Sequence, residues 1–221
     1  MIKLSGIVKT YPDGNHKNYV LRGVNLSIGK GEFIAIMGAS GSGKTTLLSI
    51  LGTLMQPDSG SYLLDGEAVF AVRQTDYSAI RNRKIGFVFQ EHRLLPQLCV
   101  LDNILLPALA FQSKTTVAQS EYAQFLMEMT GIASLAGQYP SSISGGEAGR
   151  AALCRALVMK PALLLADEPA GQLDAENARN ITSLLQKINR ELGTTALMVS
   201  HSAEMASAAG RILTLKNGLL S

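Results

Sequence analysis

The run Gly38-Ala39-Ser40-Gly41-Ser42-Gly43-Lys44-Thr45-Thr46 limits what this chain can fold into more than any other stretch does. It follows the apolar segment Phe33-Ile34-Ala35-Ile36-Met37 and precedes Leu47-Leu48-Ser49-Ile50-Leu51, which continues as a helix. A strand, a glycine loop and a helix opening on Lys-Thr form the context that a phosphate loop requires. The glycines let the backbone turn with its N–H groups facing inward, into an anion-binding concavity. The helix N-terminus aims partial positive charge at the same point. Lys44 adds a full charge for β- and γ-phosphates, and the Thr45 hydroxyl is suited to Mg²⁺. A glycine-rich turn that only caps a helix is the plain alternative, and the strand and helix on either side speak against it.

Composition sets limits around this loop. At 221 residues the chain is one large domain, or a core with a subdomain, able to bury a sizeable interior. Hydrophobic residues make up 47% and charged residues 17%, which excludes a disordered chain. A mean hydropathy of +0.17 points to an apolar surface that meets a partner. No stretch approaches the ~20 apolar residues of a membrane span. Met1-Ile2-Lys3-Leu4-Ser5-Gly6 lacks the apolar core of a signal peptide, so a cytoplasmic location is expected. A formal net charge of +3 is too mild to argue for nucleic acid. Cys99 and Cys154 have no metal-type or redox spacing and read as buried thiols.

In chain order, Ile2 to Val8 alternates as a strand, Pro12-Asp13-Gly14-Asn15 is a turn, and Val20 to Ile28 alternates again. Tyr11, beside that turn, either stacks on an adenine ring or packs at a strand end. A short β unit, Ser61 to Leu64, turns at Asp65-Gly66. Lys84 to Phe89 is a buried strand ending at Gln90, on its own an ordinary surface amide, but at a strand's C-terminal edge one that can face a nucleotide's metal. Residues 91–157 differ in texture: Arg93 to Leu98, Val100 to Phe111 and Gln119 to Thr130 look helical, interrupted at Pro96, Pro107 and Gly131. Leu94 and Leu95 are either an exposed docking patch or core. Ser144-Gly145-Gly146-Glu147 reads as a capping box opening a helix through Leu157. Two glycines there also leave N–H groups open to an anion.

Leu163-Leu164-Leu165-Ala166 has the look of a central parallel strand, and it ends in Asp167-Glu168 before Pro169. Two carboxylates beside a buried strand are costly without polar partners. Beside a phosphate loop, Asp167 has the task of holding Mg²⁺. Glu168, on the opposite face as strand neighbours are, would polarise the attacking water. Asp174 caps a helix over Ala175–Leu192. Thr194 to Val199 is a further strand, ending at Ser200-His201, where the imidazole can reach a γ-phosphate or hold the water. His16 and His92 are given no role.

Laid out in this order, the whole chain resembles the nucleotide-binding subunit of an ABC transporter. Gly38 to Thr46 is similar to that family's Walker A, Gln90 to its Q-loop, Ser144–Glu147 to its signature and Leu163 to Pro169 to its Walker B. Gly171-Gln172-Leu173-Asp174 resembles the D-loop, His201 the switch histidine and Tyr11 the adenine-stacking aromatic. The resemblance implies an α/β P-loop fold of RecA type: a mostly parallel sheet, an antiparallel β subdomain and an inserted helical subdomain at 91–157, with 1–90 and 158–221 forming the rest. It implies ATP and Mg²⁺ as cofactors. Glu168, His201 and Gln90 would be catalytic, and Thr45, Gln90 and Asp167 would face the metal. It also implies a head-to-tail partner cassette whose signature, Ser144 to Glu147, meets the other chain's nucleotide, and integral membrane permease subunits, so that the chain sits peripherally on the cytoplasmic face of the membrane. FVFQEHRLLPQL, NILLPAL and ADEPAGQLD look most like the branch serving lipoprotein release, macrolide export and bacterial cell division.

The chain departs from that pattern at two places. Ala148-Gly149 follow the signature where the family usually has Gln-Gln, and Ala170 stands where Thr usually follows the Walker B proline. Gly149 is expected to loosen the signature helix by up to ~1 kcal/mol. Two other functions compete: a soluble ABC ATPase of DNA repair or translation, and a clamp that binds ATP without turnover. The first calls for coiled-coil, zinc or second-cassette elements, and the second for loss of Glu168 or His201. Neither pattern occurs here.

Overall fold

The computed structural model describes all residues except Asn15, 72–75 and Gln172. β1 (Ile2–Asp13) and β2 (His16–Ile28) form a long antiparallel hairpin in which Ile2 faces Ile28 and Leu4 faces Leu26. Tyr11 therefore lies within β1, not after it. Alternation places Ile2, Leu4, Val24, Leu26 and Ile28 on one buried face. β3 (Phe33–Met37) enters the phosphate loop and α1 (Lys44–Leu51) leaves it. β4 (Ser59–Leu64) returns to pair with β1, and β5 (Glu67–Ala68) closes this sheet in the order β2-β1-β4-β5.

After α2 (Tyr77–Lys84) come β6 (Ile85–Val88) and three helices: α3 (Val100–Leu109), α4 (Val117–Met129) and α5 (Gly145–Leu157). The chain then alternates through β7 (Leu163–Asp167), α6 (Ala175–Leu192), β8 (Thr195–Val199) and α7 (Ala203–Ala206). It ends with β9 (Arg211–Lys216) and β10 (Leu219–Leu220). The second sheet has the order β10-β9-β3-β8-β7-β6, and every pairing is parallel except β10 with β9.

Strand alternation divides this sheet between two cores. Ile34, Ile36, Leu163, Leu165, Leu197 and Val199 join α1 and the antiparallel sheet. Ala35, Leu164, Ala166, Ala196 and Met198 face the other way, into a core shared with α3, α4, α5 and α6. A strand apolar on both faces can only be placed between two such layers.

Four sequence expectations change here. Arg93 to Leu98 forms no helix. His92 and Arg93 both adopt left-handed backbone, φ 57° and 49°, which ends any helical path. The fully buried Asn103 side chain then holds the loop: its amide donates to the carbonyls of Leu95, Leu98 and Cys99, and its oxygen accepts from the Leu95 N–H at 2.7 Å. Pro107 does not interrupt its helix but sits inside the last turn of α3. Leu94 and Leu95 part company: Leu94 packs on the core, while Leu95 is 43% exposed. The two do not make a joint patch. Of the cysteines, Cys154 is buried but Cys99 is only partly so, its sulfur capping α3 through the Asp102 N–H.

α5 lies so close to β6 that a Cβ on Gly86 would collide with the Ala156 carbonyl and come within 3.0 Å of Pro161. Gly86→Ala is therefore expected to destabilise the protein by about 1–3 kcal/mol through overpacking. In a chain of this size each kcal/mol lowers the thermal midpoint by roughly 2–4 °C, which calorimetry would read.

Candidate nucleotide site

The phosphate loop depends on two left-handed glycines, Gly41 at φ 76° and Gly43 at φ 101°. A side chain at Gly43 would also meet Val20 Cγ1 at 2.9 Å, so both backbone angle and space demand glycine. α1 begins at Lys44 with no side-chain cap and no acidic residue in its first turn. Its N–H groups and the positive end of its dipole are thus left for an external anion. Lys44 Nζ lies on the loop, donating to the carbonyls of Gly38 at 2.7 Å and Ala39 at 3.0 Å.

A cavity of about 450 Å³ opens above this loop. Ser40, Gly41, Gly43, Lys44, Thr45 and Thr46 form one wall, and Gln90, Asp167, Glu168 and His201 form the other, with Val20 at the side. These residues come from the ends of β6, β7 and β8, the edge at which open α/β sheets place their ligands. Asp167 and Glu168 both line the cavity. The expectation that Glu168 faces away from Asp167 is therefore corrected. The strand ends at Asp167, and Glu168 takes left-handed backbone with φ 45°, which returns its side chain to the same side. Its N–H donates to the Val199 carbonyl at 3.1 Å.

Glu168 Oε2 lies 2.9 Å from His201 Nδ1 and accepts a longer bond of 3.4 Å from the His201 N–H. The carboxylate side chain is 15% exposed and the imidazole 71%, so the pair spans the cavity from floor to rim. His201 is held by a tight turn in which the buried Ser200 hydroxyl accepts from the Ser202 N–H at 3.0 Å. Burial, then the neighbouring Glu168 charge, raises the Asp167 carboxyl above its ordinary range; Lys44 and Arg93 oppose this incompletely. One desolvated carboxylate, an amide oxygen and a threonine hydroxyl suit a hard cation that takes its remaining ligands from phosphate and water.

The other expected residues lie outside this cavity. Tyr11 rests its hydroxyl 3.4 Å from Thr46 Oγ1 and 3.3 Å from Met55 Sδ, which puts that hydroxyl beside the first turn of α1. The Ser144 capping box is complete: the Glu147 N–H donates to Ser144 Oγ at 3.3 Å, and the Glu147 carboxylate accepts from the Ser144 N–H at 2.7 Å. These bonds hold the Glu147 carboxyl low. Gly145 and Gly146 face Leu173 and Asn177, so the signature rests against the start of α6. Asp174 caps that helix through the Asn177 N–H at 2.8 Å, which lowers its carboxyl, while Gln172 of the same loop is outside the described residues.

Gly149 does not simply loosen its helix. It is buried, and a Cβ there would lie 3.3 Å from both His92 Cε1 and Ile181 Cδ1. Sequence reasoning passed over Val20, His92 and Arg155, whose signals are contacts between distant parts of the chain.

A family profile described as ABC transporter matches residues 21–171. The chain belongs to the ABC transporter family. It is similar to the lipoprotein-releasing system ATP-binding protein LolD 1 of Rhodopirellula baltica, 45% identical over 220 residues and covering 100% of this chain and 96% of the relative. LolD of Bordetella avium is 44% identical over 219 residues, 99% and 95% of the two chains. Among solved structures, the dimeric post-hydrolysis state of the ATP-binding cassette MJ0796 with ADP and Pi has a TM-score of 0.89 and 37% identity, covering 100% of this chain and 97% of that one. The protein is thus a P-loop ATPase cassette that hydrolyses ATP in the service of membrane transport.

Because burial raises the folded-state pKa of Asp167, the associated stability is full below the ordinary carboxylate value of 3.8 and is lost as pH rises through the folded value. At neutral pH the ionised group is a net cost. Asp167→Asn is expected to melt higher than the parent without ligand at pH 7, with the gain disappearing under acid. The stabilisation conferred by Mg-ATP should drop in the same variant. Calorimetry at two pH values, with and without Mg-ATP, checks both effects.

Proposed function

We propose that this cassette drives a lipoprotein-releasing complex, using ATP held between two copies of the chain and Mg²⁺ at the Asp167 side. The carrying observation is the Glu168–His201 pair, 2.9 Å apart at the cavity rim and across from the Lys44 loop. In this reading Glu168 accepts the proton of the attacking water while His201 fixes the carboxylate and reaches toward the γ-phosphate. Lys44 and the open N–H groups of α1 hold the β- and γ-phosphates, and Tyr11 stacks on the adenine. Thr45, Gln90 and Asp167 are the residues that would hold Mg²⁺, which would supply positive charge against the phosphates.

Gly38 to Thr46 of one copy then face Ser144 to Glu147 of the other, with Asp174 beside the contact. The dimeric MJ0796 cassette, at 38% identity and a TM-score of 0.89, supports that arrangement. ATP glues the two halves, hydrolysis removes the charge that held them, and the motion passes to membrane subunits. Residues 91–157 form the body that moves against 1–90 and 158–221. Among the described residues no helix is long and apolar enough to cross a membrane. We assign attachment at the cytoplasmic face to membrane-subunit partners and expect no nucleic acid among the partners. The lipoprotein cargo is taken from the names of the relatives.

The docking role first considered for Leu94 and Leu95 passes to a groove of about 570 Å³ between β6, α3 and α5. Phe87, Phe89, Phe111 and Met159 supply its apolar surface and Arg81, Arg93 and Arg155 its charge. Among the described lining residues none is acidic, which fits a membrane-subunit segment with an apolar face and a carboxylate.

Glu168→Gln is expected to keep ATP binding and to slow hydrolysis by ~10²-fold or more. Near-normal turnover would remove Glu168 from the role of base. Phe111 is 58% exposed at the groove. Phe111→Asp should abolish co-purification with the membrane subunits while nucleotide affinity stays at the parent level; intact co-purification would move the docking site elsewhere.

A further inference from the structure

His92 sits where the loop after Gln90 crosses the helix that carries the signature. The loop is tightly wound: the His92 N–H donates to the Phe89 carbonyl at 3.1 Å, and His92 and Arg93 are consecutive left-handed residues. Such a pair of non-glycine residues costs energy unless the surroundings hold it in place. Arg155, on α5, is what holds it. Its guanidinium donates to the carbonyl of Arg93 at 2.6 Å and to that of His92. Among the described residues Arg155 has no carboxylate within 4.0 Å, so the two carbonyls are its polar anchors.

The imidazole makes a second attachment earlier on the same helix, at Gly149. Its edge lies against Gly149, where a Cβ would be 3.3 Å from Cε1 and 3.7 Å from Nε2. The Gly149 backbone is not left-handed, so helix geometry gives no reason for glycine here; the ring does, together with Ile181 Cδ1 at the same 3.3 Å. Among the described residues His92 Nδ1 is buried without a hydrogen-bond partner, so the ring is held there by packing at a polar cost.

We propose that His92 is a positioning residue that, with Gly149, ties Gln90 to the Ser144 end of α5, so that the metal-facing amide and the signature serine move as one piece. This rests on the shared-site reading given above. The sensing of one nucleotide by Gln90 is thereby transmitted mechanically to the serine that meets the other. A histidine that merely fills space would affect folding alone.

The test uses the full chain carrying Glu168→Gln, measuring dimerisation by light scattering over an ATP titration and monomer affinity with a fluorescent ATP analogue. His92→Ala is expected to weaken ATP-dependent dimerisation ~10-fold, within the range carried by contacting pairs. Affinity for the analogue should hold within about two-fold, which also shows that the variant is folded. Gly149→Ala should weaken dimerisation as well, because its methyl group displaces the ring. In the double variant only the flexible end of Ile181 still faces that methyl and can give way into the space left by the imidazole, so the loss should be no greater than for His92→Ala alone. Unchanged dimerisation in His92→Ala, or losses that multiply in the double variant, would overturn the proposal. If the Glu168→Gln parent stays monomeric with ATP bound, the shared-site reading fails and this inference falls with it. If the parent dimerises and His92→Ala does too, only the present inference is lost.

Discussion

Ile36 of β3 stands in register with Val199 of β8, and Val199 in register with Asp167 of β7. This three-residue row is the constraint on which the site depends. It sets the start of the phosphate loop, the acidic pair and the Ser200-His201 turn side by side at one sheet edge, although about 130 positions separate the first from the second. A one-residue slip in either pairing would turn the apolar residues of these strands from one core to the other and carry the site residues with them. The two buried layers therefore hold the register, and the register holds the chemistry.

The same row brings an electrostatic cost. Asp167 is desolvated and stands next to a second carboxylate, with Lys44 and Arg93 as incomplete compensation. Glu168 is further held in left-handed backbone, a conformation that costs non-glycine residues of the order of 1 kcal/mol. Strain and uncompensated negative charge at one point are costs that only added positive charge or polar partners would relieve. Stability is supplied elsewhere, by apolar contacts of the kind that join Leu163, Leu165 and Leu197 to α1.

The signature end of the molecule follows different physics. Ser144 and Glu147 satisfy each other as a helix cap, and the glycines between them lie on Leu173 and Asn177 of the same chain. Nothing in that local chemistry requires a nucleotide. The functional reading comes from the family and from the dimeric cassettes that share this fold, and it needs a second chain to complete it.

Local pattern was enough to place the strands around the phosphate loop, the Ser144 box, the Asp174 cap and the helix it begins, because each arises from residues within a few positions of one another. The residues that line the cavity were legible for the same reason: loop, carboxylates and histidine each mark the end of an apolar strand. Four readings needed more. Glu168 was assigned to the wrong face because alternation holds only while the strand continues, and it stops at Asp167. Arg93 to Leu98 has helical composition, yet the Asn103 side chain and Arg155 bind its carbonyls from distant positions. Leu94 and Leu95 look alike in sequence, and only packing shows that one is core. Gly149 reads as a flexible point until His92, 57 positions away, is found against it. The sequence by itself determined the elements and the chemistry they carry, through periodicity, caps and glycine angles. Tertiary structure alone decided which way Glu168 turns, what covers Leu94 and why position 149 has no side chain, since those outcomes depend on contacts between residues the chain order does not bring together.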